Sequence, residues 1–587
     1  LDCLRRISKG KADFAVFTPE DLVTAANSEI EVLITNELRY TENDYEYEVV
    51  AVVTDSSGIK NRHDLRDKRF CHPGYGQESE WTRILSNYLE ASIIPQSCET
   101  KYTITENRIK ASSQFFKSAC KAGPWVHNPK LDQKLKLKYP NLCELCDYPS
   151  RCQNTDKYWG RRGSLMCLTD GAGDVSWARL DDVRIHFGLV PGGAESTPDG
   201  YSFLCPDGTV KPINSTNPCI WVVKPWPVIA TKRTVAQDIQ EFMSTLNNVD
   251  STSWQGAMLS LIEIFHLSIY KLEPIEPIES YLERATGFLN ANSFTGCHPP
   301  RTIRICTTSN IENAKCSWLR ESAAVYGIEP DLDCLKADNT THCMEALNNN
   351  AADVVMVPVD LIAPAMKKYN LQPLFYETVN DNEKYLTVAV TKTGSNVKKL
   401  EELRGRKACF PSFDGVAWNS VIHTLHEKKL LTSCPFDSGV AQFFGPSCVP
   451  GLPRNYSRSL KKNCGGNYSG DFGALRCLLD GSGDVAFLSK NAIADFVKSP
   501  IENKFGNIKL DSFNIVCEDK SEGCHFSWAP LGQAMVRNNS SELWMQDTLD
   551  VFLQMDSLFG KNYKSLTTPL QLFGPFNGQS NILFHDN

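Results

Sequence analysis

Short, uninterrupted apolar runs recur along the chain and predict buried β-strands. Residues 48–53 (EVVAVV) and 386–390 (LTVAV) are two clear examples. Such runs suit the inner strands of a mixed sheet, because other elements cover both faces of those strands. Longer segments at 238–246 and 542–553 are predicted helices. Strands that alternate with helices indicate an α/β fold of packed layers.

The chain contains the same pattern twice. Residues 65–71 (LRDKRFC) match 403–409 (LRGRKAC), and residues 163–175 (GSLMCLTDGAGDV) match 473–485 (GALRCLLDGSGDV). The copies lie much further apart than the period of a solenoid, so they indicate a duplicated globular lobe. A function kept by both copies would therefore use two equivalent sites.

We expect a first lobe at 1–297, a linker at 298–305 and a second lobe at 306–587. A chain of 587 residues is too long for one core, so each lobe should divide again into two domains. The linker contains Pro299 and Pro300, which interrupt regular structure.

Both ends of the chain fall inside the repeated pattern. Cys3 matches Cys343, which other cysteines of the second copy precede. Cys98 and Cys434 are also equivalent, and the second copy ends before it reaches a partner for Cys434. We therefore expect a first lobe truncated at its start, a second lobe truncated at its end, and Cys3 and Cys434 left single.

Composition and charge narrow the class of protein. The chain has 42% hydrophobic residues, 22% charged residues and a formal net charge of −8, which are typical of a globular protein. The sequence has no basic stripe that would predict nucleic-acid binding, and no apolar run approaches the roughly 18 residues of a membrane helix. It contains neither a GxSxG elbow nor an HExxH helix, so we do not expect an enzyme.

Cysteines and acceptor sequences for glycosylation indicate an extracellular, secreted protein. The 22 cysteines predict disulfides formed in an oxidising compartment. A zinc site at Cys143, Cys146 and Cys152 is the alternative, but no second pair follows at the spacing of such sites. Asn-x-Ser/Thr sequences for N-glycosylation occur at Asn214, Asn339, Asn455, Asn467, Asn538 and Asn539.

Taken together, these features resemble the transferrin family. The likeness covers nearly the whole chain and rests on residues 1–3 (LDC), 12–13 (AD), 47–53 (YEVVAVV), the repeated blocks at 65–71, 403–409, 167–175 and 477–485, and the segment 517–530. Its departures from the family pattern indicate an invertebrate branch. The resemblance implies two homologous lobes, each of two mixed-sheet α/β domains around a cleft, as in periplasmic binding proteins.

The resemblance also implies a function and a ligand set. Each family lobe closes on ferric iron through two Tyr, one Asp and one His, while a Thr, an Arg and a helix N-terminus hold a carbonate. Ferric iron is a hard cation that favours phenolate and carboxylate oxygen, and a helix N-terminus offers N–H groups to an anion. The implied partners are ferric iron and a cell-surface receptor. We expect a monomer that binds no nucleic acid.

In the first copy few ligand positions are kept. Tyr47 matches the first Tyr, Arg161 stands at the second Tyr, and Pro227 stands at the His. The Asp position falls near residues 18–21 (TPED), where the register is shifted and no residue matches cleanly; Asp21 is the candidate ligand there. The carbonate motif reads HPGYGQ at 72–77, so that Pro73 and Gln77 replace the expected Thr and Arg.

Arg161 argues against iron in the first copy. A guanidinium stays charged and does not bind a metal ion. We expect Arg161 to point into the cleft near Tyr47 and to pair with Glu20 or Asp21, because an unpaired buried charge is costly. Such a salt bridge would hold the lobe closed in place of iron.

The second copy keeps a larger ligand set. Tyr385 matches the first Tyr, Asp471 stands at the second Tyr, and Asp360 lies near the Asp position. The His position falls at Gly532. These three anionic oxygens could hold a hard cation. Each also has a structural reading, since tyrosine is common in strands and aspartate in turns.

The carbonate segment of the second copy is also altered. Residues 410–415 read FPSFDG, so that Pro411 occupies the Thr position and no Arg is present. Asp414 would repel an anion there. We therefore expect a cation bound without carbonate to be held more weakly.

The resemblance and the duplication imply ten disulfides. We expect the pairs Cys71–Cys167, Cys409–Cys477, Cys98–Cys297, Cys205–Cys219, Cys517–Cys524, Cys306–Cys343, Cys316–Cys334, Cys448–Cys464, Cys120–Cys146 and Cys143–Cys152. Connectivity does not follow from the sequence alone.

Two functions stay open. One is extracellular iron binding, transport or sequestration through weakened or lost sites. The other is an iron-free pseudo-transferrin that acts as an interaction or structural module. The family's role favours the first and the number of replaced ligands favours the second, because function lives in the site and not in the fold.

Overall fold

The computed structural model describes residues 2–27, 30–75, 84, 87–95, 98–191, 193–246, 256, 268–293, 301–377, 384–431, 436–465, 467–499, 502, 508–516, 524–560 and 571–585. Within these ranges helices alternate with strands that form mixed sheets. The predicted α/β fold class is therefore confirmed.

The strands are short and follow the predicted apolar runs. They are β1 (Phe14–Phe17), β2 (Leu33–Arg39), β3 (Tyr47–Thr54), β4 (Arg69–Cys71), β5 (Ser118–Cys120), β6 (Val175–Arg179), β7 (Tyr201–Leu204), β8 (Val210–Pro212), β9 (Val222–Lys224), β10 (Val228–Thr231), β11 (Ser268–Pro277), β12 (Thr302–Thr307), β13 (Asp331–Lys336), β14 (Val354–Pro358), β15 (Leu371–Tyr376), β16 (Tyr385–Lys392), β17 (Ala408–Cys409), β18 (Val485–Ser489), β19 (Phe513–Ile515), β20 (Ser527–Ala529) and β21 (Gly532–Arg537).

The α-helices lie between the strands and include the two predicted from the sequence, α8 and α18. They are α1 (Asp2–Ser8), α2 (Pro19–Asn27), α3 (Tyr88–Ile93), α4 (Ile104–Phe115), α5 (Pro129–Lys138), α6 (Gly160–Thr169), α7 (Leu180–His186), α8 (Ala236–Ser244), α9 (Ile278–Glu283), α10 (Phe288–Ser293), α11 (Asn310–Val325), α12 (Thr340–Asn348), α13 (Ile362–Lys368), α14 (Val416–Glu427), α15 (Phe436–Phe443), α16 (Gly470–Leu479), α17 (Lys490–Lys498) and α18 (Glu542–Phe559).

Among the described residues the strands form four sheets, and the duplication is visible in their topology. The orders are β1-β10-β2-β11, β5-β4-β6-β3-β7-β8 with β9 on β3, β13-β12-β14-β21-β15, and β17-β18-β16-β19 with β20 on β16. In the second and fourth sheets, equivalent strands take equivalent places. β3 pairs antiparallel with β6, and β16 pairs antiparallel with β18.

Central strands are buried because helices and loops cover both of their faces. Val49 to Val53 in β3 are at most 1% exposed, as are Val388 to Val390 in β16. Burial of every side chain in a row explains why these segments show no alternation of polar and apolar residues. Both strands begin with a tyrosine, Tyr47 and Tyr385, and this places the two phenols at equivalent positions.

The described residues fall into two compact units. One comprises Leu1–Ile303, Cys316–Asp333 and Ser541–Leu572, and the other comprises Arg304–Lys315, Cys334–Ser540 and Phe573–Asn587. The first unit takes in two segments from the second half of the chain, so these units and the sequence repeats are different divisions. The lobe boundaries at 1–297 and 306–587 stay a prediction.

Disulfides cross-link the elements around both repeated blocks. Seven of the expected pairs are disulfides in the described part of the chain: Cys71–Cys167, Cys120–Cys146, Cys143–Cys152, Cys205–Cys219, Cys306–Cys343, Cys409–Cys477 and Cys448–Cys464. The Cα–Cα distance is 5.7 Å for Cys71–Cys167 and 6.1 Å for Cys409–Cys477, well within the reach of a disulfide.

The other cysteines divide into bonded, free and undescribed ones. Cys98, Cys316, Cys334 and Cys524 each belong to a disulfide. Cys3 is exposed and free, as expected. Cys297, Cys434 and Cys517 lie outside the described residues.

The zinc alternative is wrong. Cys143 and Cys152 are joined to each other, and Cys146 is joined to Cys120. Cys120, Cys146 and the carboxylate of Asp156 lie close enough to hold a metal ion. Both sulfurs of that cluster are consumed by a disulfide, however, and a disulfide offers no thiolate to a metal ion.

The Asn-x-Ser/Thr sequences for N-glycosylation lie at the surface. Asn214, Asn339, Asn455, Asn467, Asn538 and Asn539 are all exposed. In the described part of the chain, no helix combines the length and the apolar character needed to cross a bilayer.

Candidate functional site

Two of the predicted ligands of the second copy touch each other. Tyr385 is the first residue of β16 and is only 4% exposed. Asp471 is the second residue of α16, and the Tyr385 hydroxyl donates a hydrogen bond of 2.9 Å to its Oδ1. The start of α16 is held in place by Gly470, whose N–H donates to the carbonyl of Pro411 at 2.9 Å. The buried phenol of Tyr385 is therefore in direct contact with the half-buried carboxylate of Asp471.

Asp360 lies beside this pair, at the start of α14. It follows β14 in a short 3-10 turn, Val359–Leu361, and its Oδ1 accepts a hydrogen bond of 3.2 Å from the N–H of Val416. Val416 is the first residue of α14, so the carboxylate meets the positive end of a helix of twelve residues.

Glycine is required where Asp360 approaches the backbone. A Cβ at Gly415 would lie 2.9 Å from Asp360 Oδ1 and 2.3 Å from Ser412 Oγ. The absence of a side chain at Gly415 therefore allows the carboxylate to reach the helix.

The proton affinities of the three groups reflect burial and mutual repulsion. Burial, followed by the negative charge of Asp360, raises the pKa of Asp471 to about 7. Burial, followed by the charges of Asp471 and Asp360, raises the pKa of the Tyr385 hydroxyl well above its usual value. Burial also raises the pKa of Asp360, against the opposing hydrogen bond from Val416. Acidic groups with pKa values raised in this way are typical of functional sites. A bound cation would offset the repulsion between their negative charges.

The segment before α14 does not fit a carbonate held in the implied manner. Residues 410–415 contain neither Thr nor Arg, and the N–H of Val416 already donates to Asp360. Asp414 forms an ion pair with Lys367, at 2.8 Å, so the negative charge expected there is neutralised locally. The carboxylate of Asp360 occupies the helix N-terminus that an anion would need.

The equivalent position of the first copy is surrounded by cations. Tyr47 is 6% exposed and begins β3. The guanidinium of Arg179 lies 4.6 Å from the centre of its ring, and the ammonium of Lys224 lies 5.8 Å from it. Positive charge therefore stands where a ferric ion would need negative ligands.

The predicted partner of Arg161 is wrong. Its Nε donates to Asp182 at 2.6 Å and its terminal nitrogen to Asp181 at 3.1 Å, and not to Glu20 or Asp21. Arg161 lies on α6, and both aspartates lie in the first turn of the neighbouring helix α7. The helix dipole favours acids at this end of α7. These two aspartates neutralise the Arg161 guanidinium, which therefore pairs with α7 and not with α2.

Glu20 has a different cation as its partner. The ammonium of Lys224 lies 3.5 Å from Glu20 and 3.5 Å from Glu46, and Lys224 and Glu20 are 4% and 3% exposed. Lys224 ends β9, and Glu20 is in the first turn of α2. This buried ion pair therefore connects β9, which pairs with β3 at Tyr47, to α2. Helix α2 carries Glu20 and Asp21, the acids near the expected Asp position.

Asp21 and Pro73 of the first copy each make backbone hydrogen bonds away from Tyr47. Asp21 Oδ2 accepts hydrogen bonds from the N–H and the hydroxyl of Thr18, at 3.3 and 3.0 Å, at the start of α2. Pro73 is held through its carbonyl, which accepts from the N–H of Gly160 at 2.9 Å. Gln77 lies outside the described residues.

Sequence reasoning missed several residues around these sites. Lys224 stands three residues before Pro227, the position matched to the family His, and its charge was the available signal. Nothing in the sequence pattern connects Asp181 and Asp182 with Arg161. Two others, Glu377 and His585, lie near Gly532 and come from distant parts of the chain.

The duplicated α/β fold, with Tyr47 and Tyr385 at the starts of the equivalent strands β3 and β16, defines a two-lobed α/β protein. The Transferrin family model matches residues 1–253 and 303–587. The chain therefore belongs to the transferrin family.

Individual relatives agree with this assignment. Transferrin of Blaberus discoidalis is 29% identical over 641 residues, which cover 100% of this chain and 87% of that protein. Transferrin of Manduca sexta is 30% identical and covers 84% and 75% of the two chains. The solved structure of transferrin 1 from Manduca sexta matches with a TM-score of 0.72 at 24% identity, over 100% of this chain and 90% of that one. These insect relatives confirm the predicted family and its invertebrate character.

Proposed function

We propose that this protein is a secreted transferrin that binds ferric iron in its second lobe only. The observation that carries the proposal is the hydrogen bond between Tyr385 and Asp471, at 2.9 Å, beside the half-buried carboxylate of Asp360. A phenolate and two carboxylates are the oxygen donors that a hard trivalent cation prefers.

Binding at this site would exchange protons for the metal ion. Tyr385 and Asp471 share a hydrogen in the structure, and both oxygens must be deprotonated to act as ligands. The crowding that raises the pKa values of both groups would be relieved by the positive charge of the metal. Acid should therefore release the iron.

The first lobe is proposed to bind no iron. The ammonium of Lys224 lies between the carboxylates of Glu20 and Glu46, and Arg179 covers the ring of Tyr47. A built-in cation there would repel a metal ion and neutralise the acids that could hold it. These cations favour the second of the two open functions, an iron-free structural module, for the first lobe but not for the second.

Secretion is the third part of the proposal. All six acceptor asparagines are exposed, and disulfides cross-link the described part of both copies. Both features suit an extracellular carrier with ferric iron and a cell-surface receptor as partners. Treatment of the secreted protein with an N-glycosidase should lower its apparent mass.

A titration with ferric iron tests the proposal. Phenolate ligation should produce a visible charge-transfer band that saturates at one equivalent. Tyr385→Phe should abolish the band, whereas Tyr47→Phe, the matched change in the first lobe, should leave it unchanged. A band that survives Tyr385→Phe but disappears in Tyr47→Phe would place the iron site in the first lobe and contradict the proposal. No band at all would favour an iron-free module.

A further inference from the structure

Three hydroxyl side chains from three separate elements meet in the second unit. They belong to Thr387 of β16, Ser420 of α14 and Ser527 of β20, and are called the hydroxyl cluster below. The Thr387 hydroxyl lies 3.4 Å from that of Ser420 and 3.2 Å from that of Ser527, and Ser420 and Ser527 are hydrogen-bonded to each other. Thr387 is 0% and Ser420 8% exposed. A buried hydroxyl is costly unless it is hydrogen-bonded, and here the three hydroxyls serve one another.

The first copy has an apolar pair at the equivalent place. Two residues after the tyrosine that begins each strand, Val49 pairs with Val222 in the first copy and Thr387 pairs with Ser527 in the second. Val49 and Val222 are both 0% exposed. The same position in the same fold is therefore filled by valine, so packing alone does not require hydroxyls in the second copy.

The hydroxyl cluster is connected to Asp360 through one turn of α14. Ser420 Oγ donates to the carbonyl oxygen of Val416 at 2.6 Å. The N–H of the same Val416 donates to Asp360 Oδ1 at 3.2 Å. The peptide group that orients the carboxylate thus begins the turn that ends in the cluster.

The hydroxyl cluster is also next to Tyr385. Thr387 follows Tyr385 by two residues on β16, and alternate residues of a strand face the same side of the sheet. Ser527 precedes Ala529 by two residues, and Ala529 pairs with Tyr385. The cluster therefore joins the strand that carries the phenol to the helix whose N-terminus meets the carboxylate.

We propose that Thr387, Ser420 and Ser527 are positioning residues of the second-lobe iron site. They hold the first turn of α14 against β16 and β20, and so fix Asp360 relative to Tyr385. This inference rests on the proposed function of that lobe. The hydroxyls do not ligate the metal themselves; they orient groups that do, and outer groups of this kind contribute to metal affinity. Where the first copy binds no iron, valines suffice.

The double variant Thr387→Val/Ser527→Val tests the assignment in the full chain. It introduces the apolar pair of the first copy, and Ser420 keeps its bond to the Val416 carbonyl, so the chain should fold. Competition dialysis against ferric nitrilotriacetate should show iron affinity lowered roughly 10-fold, the lower end of the effect of removing outer-shell partners of a metal site. The charge-transfer band should persist, because Tyr385 still supplies the phenolate.

Thr391→Val is the matched control. Thr391 lies on the same strand, is equally buried at 0% exposure and donates to the carbonyl of Asn514, away from α14. The change again introduces the valine of the first copy, Val53. It should leave iron affinity unchanged. Thr387→Ser, which keeps the hydroxyl, should also retain wild-type affinity.

Hydrogen exchange of the iron-free chain gives a second readout that needs no metal. In Thr387→Val/Ser527→Val the amide of Val416 should exchange faster than in wild type, because the helix start that bonds to Asp360 is less well fixed. Thr391→Val should leave that amide unchanged. Mass spectrometry of peptides that cover the start of α14 measures the difference.

The outcomes distinguish positioning from a general effect on stability. Wild-type iron affinity and wild-type exchange at Val416 in the double variant would overturn this inference and leave the proposed function standing. Equal losses in the double variant and in Thr391→Val, or faster exchange across the whole second unit, would show destabilisation and also overturn it. Absence of iron binding by the wild-type chain would overturn the proposed function and this inference together.

Discussion

Arg161 donates a hydrogen bond of 2.6 Å from Nε to Oδ2 of Asp182. The equivalent residue of the second copy, Asp471, accepts a hydrogen bond from Tyr385 instead. At this position the two copies therefore differ: in the first a cation on α6 pairs with an acid on the neighbouring helix α7, and in the second an acid accepts a hydrogen bond from the phenol. The two copies of one fold have acquired opposite charge at the same position.

Restoring a tyrosine should have different effects in the two lobes. Arg161→Tyr should not create a ferric charge-transfer band, because Lys224 remains between Glu20 and Glu46. Asp471→Tyr, the matched change in the second lobe, should deepen the band per bound iron, because two phenolates would then ligate the metal. Absorption spectra during iron titration measure both. A strong new band from Arg161→Tyr alone would show that Lys224 is no barrier.

Lys224→Met should destabilise the protein by about 3 kcal/mol, because it removes the ammonium that neutralises the buried carboxylate of Glu20. The double variant Lys224→Met/Glu20→Gln should recover much of this loss. Lys271→Met is the control: it removes an exposed pair with Glu273 and should change stability by less than about 1 kcal/mol. Urea denaturation measures all three, and an unchanged midpoint for Lys224→Met would contradict the structural role.

Asp550 should make stability fall as pH rises. Burial, followed by the negative charge of Asp547, raises its pKa to about 6, above the roughly 3.9 of an unfolded aspartate. The folded state therefore favours the protonated acid. The stability that this preference contributes is fully present below about pH 4 and is lost between about pH 4 and pH 6.

Asp550→Asn should remove that dependence. At pH 7 the variant should be more stable by about 2–3 kcal/mol, the equivalent of a two-unit pKa shift, and at pH 3.5 it should match wild type. Asp44→Asn, at a 91% exposed position, should show no such difference. Guanidinium denaturation at the two pH values is the measurement, and equal effects of Asp550→Asn at both would contradict the assignment.

Iron binding by the second lobe should not require bicarbonate. The N–H of Val416 already donates to Asp360 at 3.2 Å, and residues 410–415 supply no Thr or Arg for an anion. Titrations in argon-purged buffer, with and without added bicarbonate, should give the same affinity. Strict dependence on bicarbonate would show that the anion displaces Asp360 from the helix.

Asp360→Ala should both weaken iron binding and destabilise α14. Loss of the carboxylate removes a proposed ligand and a negative charge at the helix N-terminus, worth roughly 0.5–2 kcal/mol. Asp360→Asn keeps an oxygen acceptor for Val416 but not the full charge, so it should retain most of the stability while losing iron affinity. Thermal melts and iron titrations distinguish the two effects, and normal iron affinity in Asp360→Asn would remove Asp360 from the ligand set.

The sequence alone determined the fold class, the duplication and the positions of the two tyrosines. Unbroken apolar runs predicted β3 and β16 because burial on both faces leaves no polar positions. The resemblance to the transferrin family, supported by the repeated blocks, also implied the disulfides Cys71–Cys167 and Cys409–Cys477 that the structure contains. An apolar run is a local property of the sequence, and the repeated blocks occur in both copies. Both can therefore be recognised without knowing how distant segments pack.

Only the tertiary structure decided which charges meet. The partners of Arg161 and Lys224 depend on how α6 packs beside α7 and how β9 approaches α2, and no spacing in the sequence encodes either approach. The contact between His585 and Glu377 joins residues 208 positions apart. Electrostatic pairing acts over a few ångströms in space, whereas sequence patterns report only local periodicity, and the sites of this transferrin are therefore set by packing between distant segments.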